Sequence, residues 1–376
     1  MGGEYIKMNI FSFFAGSGFL DLGFEQTGFN IKFVNEFLPA FMNAYQYSRK
    51  QMHLEIPEFG YQNTDINVFL SDRKNELEDY ITASQKESLT GFIGGPPCPD
   101  FSVAGKNRGR DGDNGKLSLS YINTILYFKP DFFLFENVKG LWRTARHRQY
   151  FEELKNMLHE AGYCTTEKLV NALEFGVPQD RERILLFGVK STLLPAHSKN
   201  GFEITDFPWN SHTLFRINDI KNCDWIDTTP FAIDSDIPQP QNIIPELTVQ
   251  YWFEKNDVLN HPNGEEFFTP KAGLQKMLTI AEGDVSKKCY KRLHRWRYSP
   301  TAAYGNNEVH LHPYKARRLS VSEALAIQSL PKEFVFPSEL SLSDKFKTIG
   351  NGVPFLLALS IAKTIKEYIV GNVDDV

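Results

Sequence analysis

Cysteine is scarce: the 376-residue chain has four, at positions 98, 164, 223 and 289. None forms a CxxC pair, which excludes a disulfide framework or a structural zinc knot read from spacing. Long apolar runs are absent too. Stretches such as Phe132–Phe135, flanked by Asp131 and Glu136, are of strand length, far short of the roughly 20 residues a membrane helix needs. The first eight residues carry no signal-peptide core, and Ile6 breaks the myristoylation pattern, so a cytoplasmic location is expected. An excess of positive charge is missing as well. The 41 bases against 46 acids give a net charge of −5 and a pI of about 6.0, which predicts no general affinity for polyanions. No internal repeat or low-complexity tract is visible. What remains is ordinary globular composition, 41% apolar and 23% charged, at a length that allows two domains.

The N-terminal half alternates short apolar strands with amphipathic segments. Met8–Phe14, Ile31–Asn35, Leu89–Gly94, Asp131–Glu136 and Arg183–Val189 read as strands. Phe19–Thr27, a segment starting at Pro39, Leu117–Phe128 and Arg148–His159 read as helices. Continuous apolar strands in a βα rhythm predict an α/β fold, a doubly wound parallel sheet covered on both faces. Such sheets bind ligands beyond the carboxyl ends of their strands. The first unit is assigned to 1–190. Proline, aspartate and asparagine rise after it, and 191–340 reads as a second, smaller, irregular domain. Within 341–376, Val353–Ile369 reads as a helix that returns to the first unit.

Four motifs sit at strand ends. Phe14-Ala-Gly-Ser-Gly18 follows the first strand and opens a helix. Its glycines permit close approach of a ligand, or simply a tight turn. Asp21 stands where a dinucleotide site has its third glycine, which disfavours a pyrophosphate ligand. Glu36 ends the next strand and suits a ribose diol, or a helix start that favours an acid. With Asp65 added on position alone, the set suggests an adenosine-type ligand without a diphosphate. Gly94-Gly-Pro-Pro-Cys-Pro99 ends another strand, and its prolines stiffen the backbone around Cys98. The thiol reads equally as a nucleophile or as a packed turn residue. A thiol of ordinary pKa, ~8.5, is only a few per cent thiolate at neutral pH, so a nucleophile there needs activating surroundings. Glu136-Asn-Val138 ends a buried strand, where a carboxyl of raised pKa can donate a hydrogen bond. In Gln179-Asp-Arg-Glu-Arg183, alternation places Arg181 and Arg183 on one face, suited to orienting a carboxylate or a base edge. Between Lys287 and Arg318 nine bases face one acid, Glu308, which reads as a solvated face or a nucleic-acid stripe.

Taken in order, and followed by Arg317-Arg-Leu-Ser-Val-Ser-Glu323, Gln328-Ser-Leu-Pro331 and Gly350-Asn-Gly-Val353, these motifs closely resemble the bacterial DNA (cytosine-5)-methyltransferases. The resemblance covers about residues 8–190 and 315–370. It implies a Rossmann-like S-adenosylmethionine-dependent methyltransferase sheet, with a target recognition domain in the irregular segment. Phe14, Gly16, Gly18 and Pro97 would line the S-adenosylmethionine pocket, Glu36 the ribose, and Asp65 and Ile66 the adenine. Cys98 would be the nucleophile, Glu136 would hold the cytosine ring nitrogen and amino group, and Arg183 would support that pocket. Asn351 would order the catalytic strand and the domain junction beside the cofactor. The loop Phe101–Lys116, with Ser102, Lys106 and Arg108, would close on the DNA, and Arg292, Arg295 and Arg297 would meet it from the small domain. Two positions depart from the family: Pro99 where glutamine is usual, and Gly352 where serine or alanine is common.

The chemistry fits these residue types. Carbon 5 of cytosine is a poor nucleophile until a thiolate adds to carbon 6. Reaching carbon 6 requires extrusion of the base from the duplex, at a cost of a few kcal/mol. No metal is required. The implied partners are double-stranded DNA and a companion restriction endonuclease, with the protein a monomer on DNA. A tRNA cytosine-5 methyltransferase is the main alternative, and the long segment between Arg183 and Arg317 favours DNA. A nucleotide-binding oxidoreductase is disfavoured by Asp21 and by the Cys98/Glu136 pair. A non-catalytic relative is disfavoured by the intact Cys98, Glu136 and Arg183.

Overall fold

The computed structural model describes residues 7–97, 113–270, 273–287, 289–302, 304 and 309–373. The N-terminal half runs β1 (Asn9–Phe13), α1 (Phe19–Gln26), β2 (Asn30–Asn35), α2 (Pro39–Gln51), β3 (Tyr61–Gln62), α3 (Lys74–Glu87), β4 (Thr90–Gly94), α4 (Asp113–Phe128) and β5 (Phe132–Val138). The short α5 (Gly140–Arg143) and α6 (Ala145–Glu160) lead to β6 (Tyr163–Asn171), β7 (Gln179–Asp180), β8 (Glu182–Lys190), β9 (Lys199–Asn200) and β10 (Glu203–Ile204). The main sheet has the order β3-β2-β1-β4-β5-β8-β6-β10-β9.

Strand β1 is buried at every position. Ile10 packs with α1 and the C-terminal helix on one face, while Phe11 and Phe13 pack with α3 and α4 on the other. This is the period-two alternation of a strand with two covered faces. Strand β1 pairs in parallel with both β2 and β4, so successive connections diverge on its two sides. That divergence opens a crevice at the carboxyl ends of β1 and β4.

The sheet is not wholly parallel, which corrects the expectation. Strand β8 runs antiparallel to both β5 and β6. The cause is the link from β6 to β8. It spans only residues 172–181: one turn of 3-10 helix, Ala172–Phe175, closed by Gly176 in the left-handed region, and then the two residues of β7. A connection that short cannot carry the crossover a parallel neighbour needs.

Strands β9 and β10 extend the sheet beyond residue 190, with β10 parallel to β6. The irregular region then contains α7 (Ile217–Lys221), α8 (Val249–Lys255), α9 (Leu274–Leu278), β11 (Lys291–Arg292), β12 (Ser299–Pro300), β13 (His310–Leu311) and α10 (Val321–Ile327). Its strands are two residues long, and β12 pairs with β7. Helix α11 (Leu342–Asn351) follows, and then α12 (Phe355–Val373). Helix α12 lies along α1, and Lys366 Nζ donates to the Thr27 carbonyl at 2.7 Å. A third apolar cluster joins Phe19 and Leu22 of α1 to Trp252, Phe253 and Leu325, so the irregular region shares core with the sheet region. Among the described residues, no helix is long and apolar enough to cross a membrane.

Candidate active site

The turn after β1 departs from ordinary backbone at three residues. Phe14, Gly16 and Gly18 have φ of 53°, 57° and 83°. At Gly18 the geometry also needs the missing side chain, because a Cβ would lie 2.5 Å from the Tyr45 ring. Tyr45 is held there by its hydroxyl, which donates to Asp21 Oδ2 at 2.8 Å, while Ser12 Oγ donates to Asp21 Oδ1 at 2.7 Å. Asp21 thus ties β1, α1 and α2 together beneath the turn. It is 1% exposed, and burial pushes its carboxyl up to about 6, against the two hydrogen bonds and Arg49. The sequence marked Asp21 only as a departure from a dinucleotide motif. Its structural role needed Tyr45, which no spacing pointed to.

Glu36, after β2, accepts from the Gly16 amide at 2.9 Å and from the Leu38 amide at 2.8 Å. Burial raises its pKa, and these amides oppose the rise. One amide meets each carboxylate oxygen, so each keeps a lone pair for a vicinal diol. Asn35 Nδ2 donates to the carbonyls of Gln62 and Thr64, and Asn63 Nδ2 to those of Glu36 and Phe37. These bonds pin the segment that leads into Asp65 against the end of β2. Asp65 caps the turn after it through Oδ1. The Ile66 side chain is buried with Phe69 and Leu77, which leaves Asp65 as the polar member of that pair. Phe37 was not singled out in the sequence, yet its ring is 61% exposed. A carboxylate with free lone pairs beside a bare aromatic ring fits a nucleoside. Asp21, whose carboxylate oxygens are engaged by Ser12 and Tyr45, leaves no third glycine for a pyrophosphate. S-adenosylmethionine meets both conditions.

Across the crevice, Glu136 lies near the end of β5 and Arg183 near the start of β8. The register pairs Val138 with Arg183 and Glu136 with Leu185. Glu136 and Arg183 are therefore diagonal neighbours on one face of an antiparallel pair, within side-chain reach. Arg183 Nε meets Glu136 Oε1 at 2.8 Å, with side chains 10% and 9% exposed. Burial raises the Glu136 pKa, and the positive charges of Arg183 and Arg181 oppose it. The chain toward Cys98 passes directly over this carboxylate. A Cβ on Gly95 would lie 2.7 Å from Glu136 Oε2, so a side chain here would press on the carboxylate that Arg183 holds. Asn137 Nδ2 donates to the Pro96 carbonyl at 3.5 Å. Pro97 is exposed at the end of this run. Cys98 itself, and Ser102, Lys106 and Arg108, lie outside the described residues.

Arg181 shares the buried side with Arg183 but serves a different connection. Its guanidinium donates to the carbonyls of Ala302, Gly350 and Gly352. It thereby clamps the irregular region and the turn after α11 to the start of β8. Thr348 Oγ1 reaches Ser17 Oγ at 2.6 Å, tying the same helix to the glycine turn. Asn351 is exposed at the end of α11, between the two carbonyls that Arg181 holds.

Two of the three arginines expected to meet DNA from the small domain do not face outward, and that expectation is corrected. Arg292 is 0% exposed. It donates to four carbonyls, those of Met277, Ile280, His312 and Lys315, and its guanidinium lies 3.6 Å from the Phe231 ring centroid. Arg295 is buried in a bidentate pair with Glu282. A guanidinium whose donors are consumed internally cannot neutralise a phosphate without breaking the fold. Arg297 remains partly exposed and pairs with Asp227 at 2.9 Å. The described residues contain no group of three or more His, Cys, Asp or Glu that could hold a metal ion.

The model of the family "C-5 cytosine-specific DNA methylase" matches residues 8–367. A type II methyltransferase of Neisseria meningitidis serogroup C, M.NmeDI, is 56% identical over 97% of this chain and 85% of its own length. M.MthTI of Methanothermobacter thermautotrophicus is 30% identical over 97% of this chain and 99% of its own. Among solved structures, the methyltransferase EhMeth of Entamoeba histolytica superposes with a TM-score of 0.61 at 14% identity, over 96% of this chain and 99% of that one. The Dnmt2 methyltransferase of S. pombe gives 0.60 at 12% identity, with the same coverage.

Proposed function

The chain belongs to the C-5 cytosine-specific DNA methylase family, and from that premise we propose how its residues carry out the reaction. The substrate is a cytosine extruded from double-stranded DNA within a specific short sequence. The physiological role is the modification half of a restriction-modification pair. The observation that carries the reading is the buried Glu136–Arg183 pair lying directly under the Gly95-Pro96-Pro97 run that leads to Cys98.

Cys98, as its thiolate, adds to carbon 6 of the cytosine ring, and the new S–C6 bond pushes electron density to carbon 5. Glu136 holds the ring nitrogen and the amino group. Its raised pKa lets it present a proton to the nitrogen as negative charge develops there, the kind of pre-placed stabilisation that is worth most in a dry site. Arg183 fixes the orientation of the Glu136 carboxyl and limits how far its pKa rises. Glu36, Phe37, Asp65 and the glycine turn hold S-adenosylmethionine, which when bound supplies an electrophilic methyl group. Carbon 5 takes up that methyl group with S-adenosylhomocysteine as the leaving group, and loss of the carbon 5 proton to water with cleavage of the S–C6 bond then releases the methylated base and restores the Cys98 thiolate.

The test is incubation of the purified protein with unmethylated plasmid DNA and labelled S-adenosylmethionine, followed by mass spectrometry of the nucleosides. 5-Methylcytosine in DNA, absent with the Cys98→Ala variant, is the expected result. Label found only in tRNA, or unchanged turnover by Cys98→Ala, would overturn the proposal.

A further inference from the structure

With Arg292 and Arg295 buried, cations that face solvent near Glu136 come from a different segment. From Lys139 to Phe151 the chain carries Lys139, Arg143, Arg146 and Arg148, and no carboxylate. The segment starts directly after β5 and spans α5 and the first turns of α6. At one end Lys139 Nζ meets Glu182 Oε2 at 2.5 Å, and the next residue, Arg183, holds Glu136. At the other end the Tyr150 hydroxyl donates to the Gly115 carbonyl at 2.8 Å, near the start of α4. The segment therefore bridges the ground between the Glu136 carboxylate and the helix that follows the Cys98 run.

Arg143, Arg146 and Arg148 are all exposed. Arg143 closes α5, where a cation is favoured, but helix stability does not explain Arg146 and Arg148. The N-terminal end of a helix carries partial positive charge and favours acids, yet α6 has no acid in its first turn. Arginines there add positive charge to an end that is already positive. The group is also partly ordered in advance. The Arg148 guanidinium lies 4.5 Å from the Trp142 ring centroid and donates to the Trp142 carbonyl. Thr144 caps α6 by accepting from the His147 amide. Exposed guanidiniums gathered at a helix N-terminus with no acid in its first turn suit a polyanion, because arginine forks match phosphate oxygens.

We propose that the Lys139–Arg148 segment is a phosphate-contact surface that grips the DNA backbone beside the extruded cytosine. It rests on the DNA reading above and adds a second, sequence-independent hold. Phosphate contacts set register without reading bases, so the surface serves every duplex alike.

The test measures binding of the full-length protein to a duplex of arbitrary sequence between 50 and 200 mM salt, by fluorescence anisotropy. Each phosphate contact contributes about 0.9 to the slope of log Kd against log salt. The Arg143→Gln/Arg146→Gln variant is expected to lose about 2 from that slope. Its affinity should change about tenfold less than wild type across the fourfold salt range. Arg143→Lys/Arg146→Lys should restore the slope, and S-adenosylmethionine affinity should match wild type in both variants. An unchanged slope in the glutamine variant, while wild type still methylates DNA, would overturn this surface alone. A wild-type protein that methylates no DNA would sink the underlying reading. A slope loss seen with tRNA but not with duplex would also overturn the proposal.

Discussion

Replacing Arg183 by methionine removes one charge from the buried pair while keeping most of the side-chain length. The two groups meet at 2.8 Å with almost no solvent exposure. At that separation and an effective dielectric of about 20, the gross attraction is about 6 kcal/mol. Desolvation cancels much of it in the intact pair, but removing one partner exposes the full cost of the other. Breaking a buried pair this way typically costs ~3–5 kcal/mol. The orphaned carboxyl has an escape, since it can take up a proton. Its folded pKa is already raised by burial, with Arg183 the first opposing charge, so Arg183→Met raises it further. A carboxyl whose folded pKa lies above its unfolded value is favoured when protonated, and its stability contribution falls as pH rises. Urea unfolding should therefore show a loss of about 3–5 kcal/mol at pH 8 and less than about 2 kcal/mol at pH 5. The Glu136→Gln/Arg183→Met double variant should recover at least about 1 kcal/mol of the pH 8 loss, since no charge is left stranded. A loss below about 1 kcal/mol at pH 8, or one independent of pH, would mean that Glu136 and Arg183 do not form a buried, charge-coupled pair.

Other expectations follow from the cofactor side. Asp21 has its pKa raised from 3.8 to about 6 by burial. Its stability contribution is present in full below pH ~4 and is lost as pH rises toward 6, by about 3 kcal/mol for roughly two units. Asp21→Asn should flatten that window in thermal unfolding and be at least as stable as wild type at pH 7, or the burial argument fails. Gly18→Ala must place a Cβ against Tyr45 at a φ of 83°. A strain of about 1–2 kcal/mol should weaken S-adenosylmethionine binding roughly tenfold by calorimetry, and unchanged affinity would remove the turn from the cofactor site. Phe37→Ala should leave the melting temperature unchanged, because the ring is 61% exposed. It should weaken cofactor binding about three- to tenfold, the worth of one aromatic contact. Equal affinity would mean that the ring stacks on nothing.

Much of this was legible in the sequence because strand ends announce themselves. A buried apolar run stops at a glycine, a carboxylate or a proline, and in a doubly wound sheet those stops share one edge. Phe14, Glu36, Pro97 and Glu136 stand at or just beyond such stops. The direction of β8 was not, since Ile184–Val189 carries the same apolar run whichever way it points. The diagonal reach from Arg183 to Glu136 depends on that direction. The basic run between Lys287 and Arg318 misled for a related reason. Composition counts charges but does not see Glu282 or the ring of four carbonyls that take Arg295 and Arg292 inside. Contacts such as Ser17 with Thr348, or Arg181 with Gly350, join residues far apart in the chain. No local pattern encodes them.

The proposed mechanism requires a thiolate at position 98 to add to carbon 6 of cytosine while Glu136 holds the ring. The most direct measurement uses duplex DNA synthesised with 5-fluorocytosine. Fluorine at carbon 5 cannot leave as the proton does, so the S–C6 bond should persist after methyl transfer. A denaturation-resistant protein–DNA adduct is expected that requires S-adenosylmethionine and maps to Cys98 by peptide mass spectrometry, with formation greatly slowed in Glu136→Gln. No adduct from a preparation that methylates ordinary DNA, or an adduct on another residue, would contradict it.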